Sequence, residues 1–468
     1  MALLDQLTAI VGEGHVLTGA DMARHATDMT GRYPSTPLAV VRPASTAEVS
    51  GLMRLADAHD LSVVPIGGNT GVTGATQTNG ALMISLERMN AVREINTDAR
   101  LAIVEAGVIQ QQLQDAVAAQ GLRYPMVFGA RGSCQIGGNL STNAGGSNVL
   151  RYGNTRALCL GLEVVLPDGR VMDMMTQLHK DNSGYDLRDL FIGAEGTLGI
   201  ITAAVLKLVP APRAHATAML AAASLPDALR LLNQLQEATG GNVEAYEYMP
   251  RSYLEELVRA KPDLVPPLGL EHEITLLVEV ATTAPHEAAA GPDGTPVITE
   301  IVQTALADAL EAGLLHDAAV AQNEAQRRMM WDIREAAAEV TLTRSPIVST
   351  DVAVPLDKFE TFLREADSRA RAIDAGARNL SVAHLGDGNL HYMVLPSRDD
   401  AALLAALNAM IDGLTVELGG SFSAEHGIGL SKLPSMKALK DPVALSVMRS
   451  IKATLDPKGL MNPAKVLP

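Results

Sequence analysis

Cysteine is almost missing from this 468-residue chain, which carries only Cys134 and Cys159. Two such residues make no disulfide framework and lack the spacing of a zinc knuckle. Long hydrophobic runs are missing as well. No stretch of about 18 uncharged apolar residues occurs, which argues against a transmembrane helix. The opening Met-Ala-Leu-Leu-Asp has no basic segment ahead of a long apolar core, so no secretory signal is expected. Basic charge is scarce: 37 Lys and Arg stand against 53 Asp and Glu, a formal net charge of −16. That balance disfavours nucleic acid and anionic membranes as partners. An acidic chain that handles an anion must gather positive charge locally, from Arg, Lys, a metal or helix N-termini. A reducing, cytoplasmic setting is expected.

Apolar residues are plentiful, at 47% against 19% charged, enough for sizeable cores and unlike a disordered chain. The length implies two or three domains. Leu38–Val41 reads as a strand ended by Pro43. Ser45 offers a helix cap, followed by Val49, Leu52, Met53 and Ala56 at helical spacing. Leu61–Ile66 returns as a strand, and further strands are expected at Ala81–Leu86 and Leu101–Ala106, with an amphipathic helix near Ile109–Gly121. A strand over Ala203–Val209 ends at Pro210-Ala-Pro212, a natural boundary. Beyond it helices alternate with strands, as at Ala222–Ala238, Ile274–Val280 and Val297–Ala312. Residues 288–296 read as a surface loop. Asp441–Leu455 reads as a helix, and an irregular tail follows. No repeat or low-complexity tract is present.

Three glycine-rich stretches stand out: residues 67–74, 129–146 and 193–199. A glycine-rich loop after a strand lets backbone N–H groups turn toward phosphate oxygens. The first stretch suits a pyrophosphate. It is no P-loop, because no Gly-Lys-Ser/Thr follows, and no Rossmann fingerprint, because a strand rather than a helix comes next. One such loop alone would equally be a plain connection. Three within about 130 residues, two of them containing Gly-Gly-Asn, favour a nucleotide cofactor.

Pro65-Ile-Gly-Gly-Asn-Thr-Gly71, Gly132-Ser-Cys-Gln-Ile-Gly-Gly-Asn139, Thr142-Asn-Ala-Gly-Gly146 and Gly193-Ala-Glu-Gly-Thr-Leu-Gly-Ile-Ile201 resemble the flavin-binding signatures of the vanillyl-alcohol oxidase/p-cresol methylhydroxylase superfamily. The resemblance covers nearly the whole chain and is greatest to the FAD-linked D-lactate and D-2-hydroxyglutarate dehydrogenases. Lys180-Asp-Asn-Ser-Gly-Tyr-Asp-Leu187 and the His384–His391 segment lean toward the hydroxyglutarate branch. The resemblance implies an α+β protein: a two-part FAD-binding domain of that superfamily's type plus an α+β substrate (cap) domain. Residues 1–212 would bind FAD, 213–440 would form the cap with a metal site, and 441–468 would return to the FAD domain. The family's flavin contacts carry over to Pro65, Gly67, Gly68, Asn69, Thr70, Gly71, Gly132, Ser133, Gly137, Gly138, Asn139, Thr142, Asn143, Glu195, Gly196 and Ile200. Some relatives attach FAD through a His or Cys beside the first loop. None lies between residues 60 and 80 here, so non-covalent FAD is expected.

Ser381–Val394 reads as two short strands around Asp387-Gly388, a strong signal for a two-residue hairpin turn. That turn would place His384 directly opposite His391, on one face, with Cβ atoms about 4.5–5.5 Å apart. Two imidazoles so placed can bind one ion at about 2.0–2.1 Å. The same pattern fits two half-exposed histidines on a sheet, although a chain with only 11 His makes an opposed pair less common by chance. The resemblance makes Glu425 the third metal ligand, His426 the catalytic base and Arg334 the substrate arginine. His₂Glu with an open position is a catalytic arrangement, with zinc as the first choice of divalent metal. Manganese, cobalt or iron would also suit N/O ligands.

The function implied is metal-assisted oxidation of a D-2-hydroxy acid of the D-2-hydroxyglutarate, D-lactate or D-malate class. Hydride would pass to flavin N5, and electrons to an external acceptor such as an electron-transfer flavoprotein or a quinone. A homodimer is one assembly left open. Ala338 and Ser349-Thr350 stand where the hydroxyglutarate enzymes carry a hydroxyl residue and a lysine, and Met393 is apolar where relatives can be polar. Those departures weaken the case for a second substrate carboxylate. The rival readings are a flavin oxidase using O₂, a zinc hydrolase built on His384, His391 and Glu425, and a metal-stabilised binding module that gives His426 no task.

Overall fold

The computed structural model describes all residues except Met1, Asp293 and Thr343. The chain divides into two compact units. The first comprises Met1–Gly145, Asn154–Pro210 and Glu425–Pro468; the second comprises Gly146–Gly153 and Ala211–Ala424.

The first unit holds two larger sheets. In one, Ala39–Val41, Leu82–Ser85 and Val63–Ile66 pair in parallel, and Val16–Leu17 adds antiparallel to Ala39–Val41. Ala39–Val41 and Leu82–Ser85 are buried throughout, which is why they read as unbroken apolar runs rather than alternating ones. The helix Thr46–Ala58 crosses between strands of this sheet. Its start is fixed by Ser45, whose Oγ accepts from Glu48 N at 3.2 Å, while Glu48 Oε2 accepts from Ala44 N at 2.8 Å. The second sheet is antiparallel, in the order Val92–Asn96, Leu101–Glu105, Ile200–Lys207, Cys159–Val165, Val171–Met174. The irregular tail joins the first sheet beside Val63: Val63 N donates to Leu460 O at 2.8 Å, and Asn462 N donates to Val63 O at 2.7 Å. Both cysteines are buried and free.

The second unit is built on a seven-stranded sheet in the order Leu315–Val320, Ala214–Ala222, Ile274–Thr282, Val243–Pro250, Val382–His384, Asn389–His391, Val352–Ala353. All its pairings are antiparallel. Both faces are covered. Along the central strands, Ala218, Leu220, Leu276, Val278 and Tyr246 enter one core cluster with the helices Leu225–Ala238, Val297–Glu311 and Phe359–Ile373. Met219, Ala221, Leu277 and Met249 point the other way, toward Tyr253, Leu257, Met330 and Ile333. This is the period-two alternation of a strand with two dry faces. Among the described residues no helix is long and apolar enough to cross a membrane.

Candidate active site

The glycine stretches of the first unit converge on one cavity. Of the residues the resemblance assigns to the flavin, Pro65, Gly67, Gly137, Gly138, Thr142, Glu195, Gly196 and Ile200 line it. Gly68, Asn69, Thr70, Gly71, Gly132, Ser133, Asn139 and Asn143 are not among its lining residues. Several of those serve the loops themselves. Asn69, rather than a glycine beside it, takes the left-handed conformation, with φ 54°. Its Nδ2 donates to Thr27 O and its Oδ1 accepts from Thr76 Oγ1, each at 2.8 Å. Gly68 is needed for close approach: a Cβ there would lie 2.0 Å from Ser133 O, so the first two stretches touch through backbone. Part of the second stretch is helical, over Ile136–Thr142. Asn139 within it donates to Gln110 Oε1 at 2.8 Å, tying that helix down from inside.

Gln135 and Asn462 are among the lining residues that the motifs do not assign to the flavin. Gln135 Oε1 and Asn462 Oδ1 are buried and find no hydrogen-bond partner among the described residues. Both residues line the cavity, and the Nδ2 of Asn462 is already committed to Ala75 O and Glu195 O at 3.0 and 2.7 Å. A buried acceptor left without a donor is costly. The ring N–H and ribityl hydroxyls of a flavin are donors of the kind these two oxygens lack, so the cavity fits FAD.

The predicted hairpin exists, with a different register. His384 pairs with Asn389, Ala383 with Leu390 and Val382 with His391, so residues 385–388 form a four-residue loop in place of the expected two-residue turn. The loop closes on His384, whose carbonyl accepts from Asp387 N and Gly388 N at 3.3 and 3.2 Å. His384 and His391 are therefore diagonal rather than directly opposed. The slip is by two residues, and side chains alternate with period two, so both imidazoles still share a face. Their ring centroids lie 5.4 Å apart, edge to face.

Beside them lies a carboxylate the sequence reading passed over. Glu247, wholly buried, sits across from His384 in the sheet. His384 Nδ1 is 2.9 Å from Glu247 Oε1 and 2.8 Å from Oε2. An Nδ1–H held this way leaves Nε2 with its lone pair, the form in which a histidine ligates a metal. Burial alone would raise the Glu247 carboxyl. The His384 imidazole and Arg334 guanidinium outweigh it and hold the group below its ordinary value. On the other ring, His391 Nδ1 lies 3.9 Å from the buried Asp351 Oδ1, which accepts from Asn389 Nδ2 at 2.9 Å.

Arg334 reaches the same carboxylate from the helix Glu324–Glu335, which Asn323 caps by accepting from Gln326 N. Its Nη2 is 2.8 Å from Glu247 Oε2, and the residue is 8% exposed. The contact is off the N–H axis: Arg334 Nε and Nη2 are buried without a hydrogen-bond partner among the described residues. A buried guanidinium whose Nε–H is still uncommitted is suited to an anion. The same helical face anchors itself one strand over. Arg327 Nε and Nη2 each lie 2.8 Å from a Glu279 oxygen, and Trp331 Nε1 donates to Glu279 Oε2 at 2.7 Å. Ala338 and Ser349 are exposed, whereas Met393 is buried in the core cluster and so says nothing about a substrate's polarity. Glu425 and His426 belong to the first unit, where the Glu425 side chain packs against Gly145.

The profile described as FAD binding domain matches residues 37–174, and that described as FAD linked oxidases, C-terminal domain, matches residues 211–466. Among solved structures, p-cresol methylhydroxylase with substrate bound superposes with a TM-score of 0.74 at 14% identity, covering 99% of this chain and 96% of that one. Alkyldihydroxyacetonephosphate synthase gives 0.73 at 18%, covering 99% and 86%. The fold is thus that of the vanillyl-alcohol oxidase/p-cresol methylhydroxylase class, an FAD-binding domain with an α+β second domain. The sequence relatives are narrower. Mitochondrial D-2-hydroxyglutarate dehydrogenase of Bos taurus is 37% identical over 431 residues, 92% of this chain and 76% of that protein. D-2-hydroxyglutarate dehydrogenase of Stutzerimonas stutzeri (strain A1501) is 33% identical over 472 residues, 99% and 98% of the two chains. The chain belongs to the FAD-linked D-2-hydroxy acid dehydrogenases.

Proposed function

We propose that this enzyme oxidises a D-2-hydroxy acid to the 2-oxo acid with Arg334 on the substrate carboxylate, His426 as base, and a divalent metal held by His384, His391 and Glu425. The reading is carried by one observation: a buried Arg334, its Nε without a partner among the described residues, shares the Glu247 carboxylate with His384. That shared carboxylate supports reading the pair as a substrate-carboxylate receptor beside a ligating imidazole. The donor set of two imidazoles and a carboxylate fits zinc first. When bound, the metal supplies acidity to the C2 hydroxyl and FAD supplies the acceptor for the C2 hydrogen.

The chain's own residues do the rest. Arg334 holds the carboxylate by paired charge-assisted hydrogen bonds, which sets the face from which C2 is approached. His426 takes the hydroxyl proton, since an imidazole titrates near working pH. Electrons then leave to an external acceptor, an electron-transfer flavoprotein or a quinone. The substrate class spans D-2-hydroxyglutarate, the substrate in the relatives' names, and the shorter D-malate and D-lactate. The exposed Ala338 and Ser349 bring no cation to a second carboxylate, which favours the shorter acids.

The test is an anaerobic panel of D- and L-2-hydroxy acids scored by flavin bleaching in metal-replete protein. Bleaching by a D-acid that stops on chelation and returns with zinc is the expected result. Faster bleaching by L-isomers, or rates indifferent to chelation, would overturn the stereochemistry or the metal respectively.

A further inference from the structure

Resemblance makes Glu195 a flavin contact, yet its carboxylate is engaged elsewhere. Oε1 accepts from Ile428 N at 2.6 Å and Oε2 accepts from Gly429 N at 2.8 Å. Those amides belong to the segment that directly follows His426, more than two hundred positions along the chain and within the same unit. Glu195 is 6% exposed, and burial pushes its carboxyl up against the pull of the two amides.

Glu195 is itself held rigidly. Its backbone is left-handed, with φ 51°, a conformation that non-glycine residues keep only when their surroundings impose it. Its N–H donates to Ser141 O at 2.8 Å, and its carbonyl accepts from Asn462 Nδ2 at 2.7 Å. The segment it grips is shaped to fit. Gly427 has φ 77°, and a Cβ there would lie 2.7 Å from Glu195 Oε1. Thr73 secures the same segment from another side: its Oγ1 donates to His426 O at 3.4 Å, and its carbonyl accepts from Leu430 N at 2.8 Å and Ser431 N at 3.1 Å.

We propose that Glu195 is a positioning residue for His426, a buried latch on the wall of the flavin cavity that fixes the backbone carrying the base. The role rests on the reading of His426 as the base and does not depend on the metal. Proton abstraction is sensitive to the placement of the base, and a displacement of about 1 Å can cost on the order of a hundredfold in rate. The latch lets the residues that shape the flavin cavity also set where the proton is taken.

The experiment is a double-mutant cycle on flavin reduction, followed anaerobically at saturating D-2-hydroxy acid. Glu195→Gln keeps the shape but turns an amide donor toward one of the two N–H groups. It should bind FAD at the wild-type ratio, reduce it roughly a hundredfold more slowly, and show a larger solvent deuterium isotope effect. In the His426→Ala background the same change should cost nothing further, because the residue it acts through is gone. Gly427→Ala, which crowds the carboxylate from the opposite side, should reproduce the slow reduction with flavin retained, even if Glu195→Gln folds poorly. The latch is overturned if Glu195→Gln reduces at the wild-type rate, if it loses FAD, or if the two substitutions multiply. Wild-type rates in His426→Ala would instead remove the base assignment itself.

Discussion

Glu247 and Arg334 form a buried ion contact, Nη2 to Oε2 at 2.8 Å, while the two carboxylate oxygens also flank His384 Nδ1. One side chain thus fixes both the proposed metal ligand and the proposed substrate clamp. Glu247→Gln retains the shape but removes the charge. Outer-shell partners of a ligating histidine are worth about 10–100-fold in metal affinity. The variant should therefore hold zinc about that much more weakly in a chelator competition while keeping its FAD. Unchanged zinc affinity would remove the link between Glu247 and a metal.

Arg334 has the same carboxylate as its anchor through Nη2, while its buried Nε has no partner among the described residues. Hydrogen bonds to a charged group contribute about 1.5–3 kcal/mol, which is roughly 10- to 150-fold. Arg334→Met should lower kcat/KM by at least that factor, largely through KM. Arg334→Lys should restore little, because an ammonium has neither the planar fork nor the reach to serve both partners. Near-wild-type kcat/KM in either variant would move the carboxylate receptor elsewhere.

The approach of Gly68 to Ser133 predicts a flavin defect without any loss of a flavin contact. A Cβ at residue 68 would sit 2.0 Å from a backbone carbonyl oxygen, and backbone cannot step aside as a side chain can. Gly68→Ala should separate the first two glycine stretches and yield protein with a markedly lower ratio of flavin to protein absorbance. In wild-type protein acid precipitation should release all the yellow colour into solution, as expected of a cofactor with no His or Cys between residues 60 and 80 to hold it.

Much of this fold was legible because its strands advertise themselves. Ala39–Val41, Val63–Ile66, Leu82–Ser85 and Ile274–Thr282 lie within two residues of where apolar runs place them, and Ser45 caps its helix as expected. The hairpin of His384 and His391 was legible in kind but not in register. Asp387-Gly388 carries a turn signal, yet the His384 carbonyl closes a longer loop, and only the period-two parity preserved the shared face. Glu247 was not legible, being 137 positions from His384. A glutamate inside the buried strand Val243–Pro250 was the available signal, since an ion has no reason to sit there unpaired. Gln135 and Asn462 were invisible for a different reason: an orphaned acceptor is a property of the folded chain.

The pair Glu279–Arg327 gives the fold of the second unit a defined acid sensitivity. Glu279 is 4% exposed. Burial raises its carboxyl, but Arg327, then His215 and Trp331, pull it below the ordinary value of 4.5. A carboxylate depressed in the folded state stabilises that state fully above its unfolded value, and the contribution is lost as pH falls through the folded value. Removing the charge leaves the half-buried Arg327 with Glu324 alone as its carboxylate partner, at 3.3 Å, so the lost charge-assisted hydrogen bonds are expected to cost about 1.5–3 kcal/mol at neutral pH. Denaturant unfolding should therefore show wild type more stable than Glu279→Gln at neutral pH, and the gap should narrow as pH drops below about 4.5. A gap that widened on acidification would mean that Glu279 binds its proton more tightly when folded than when unfolded, the reverse of the assignment made from its partners.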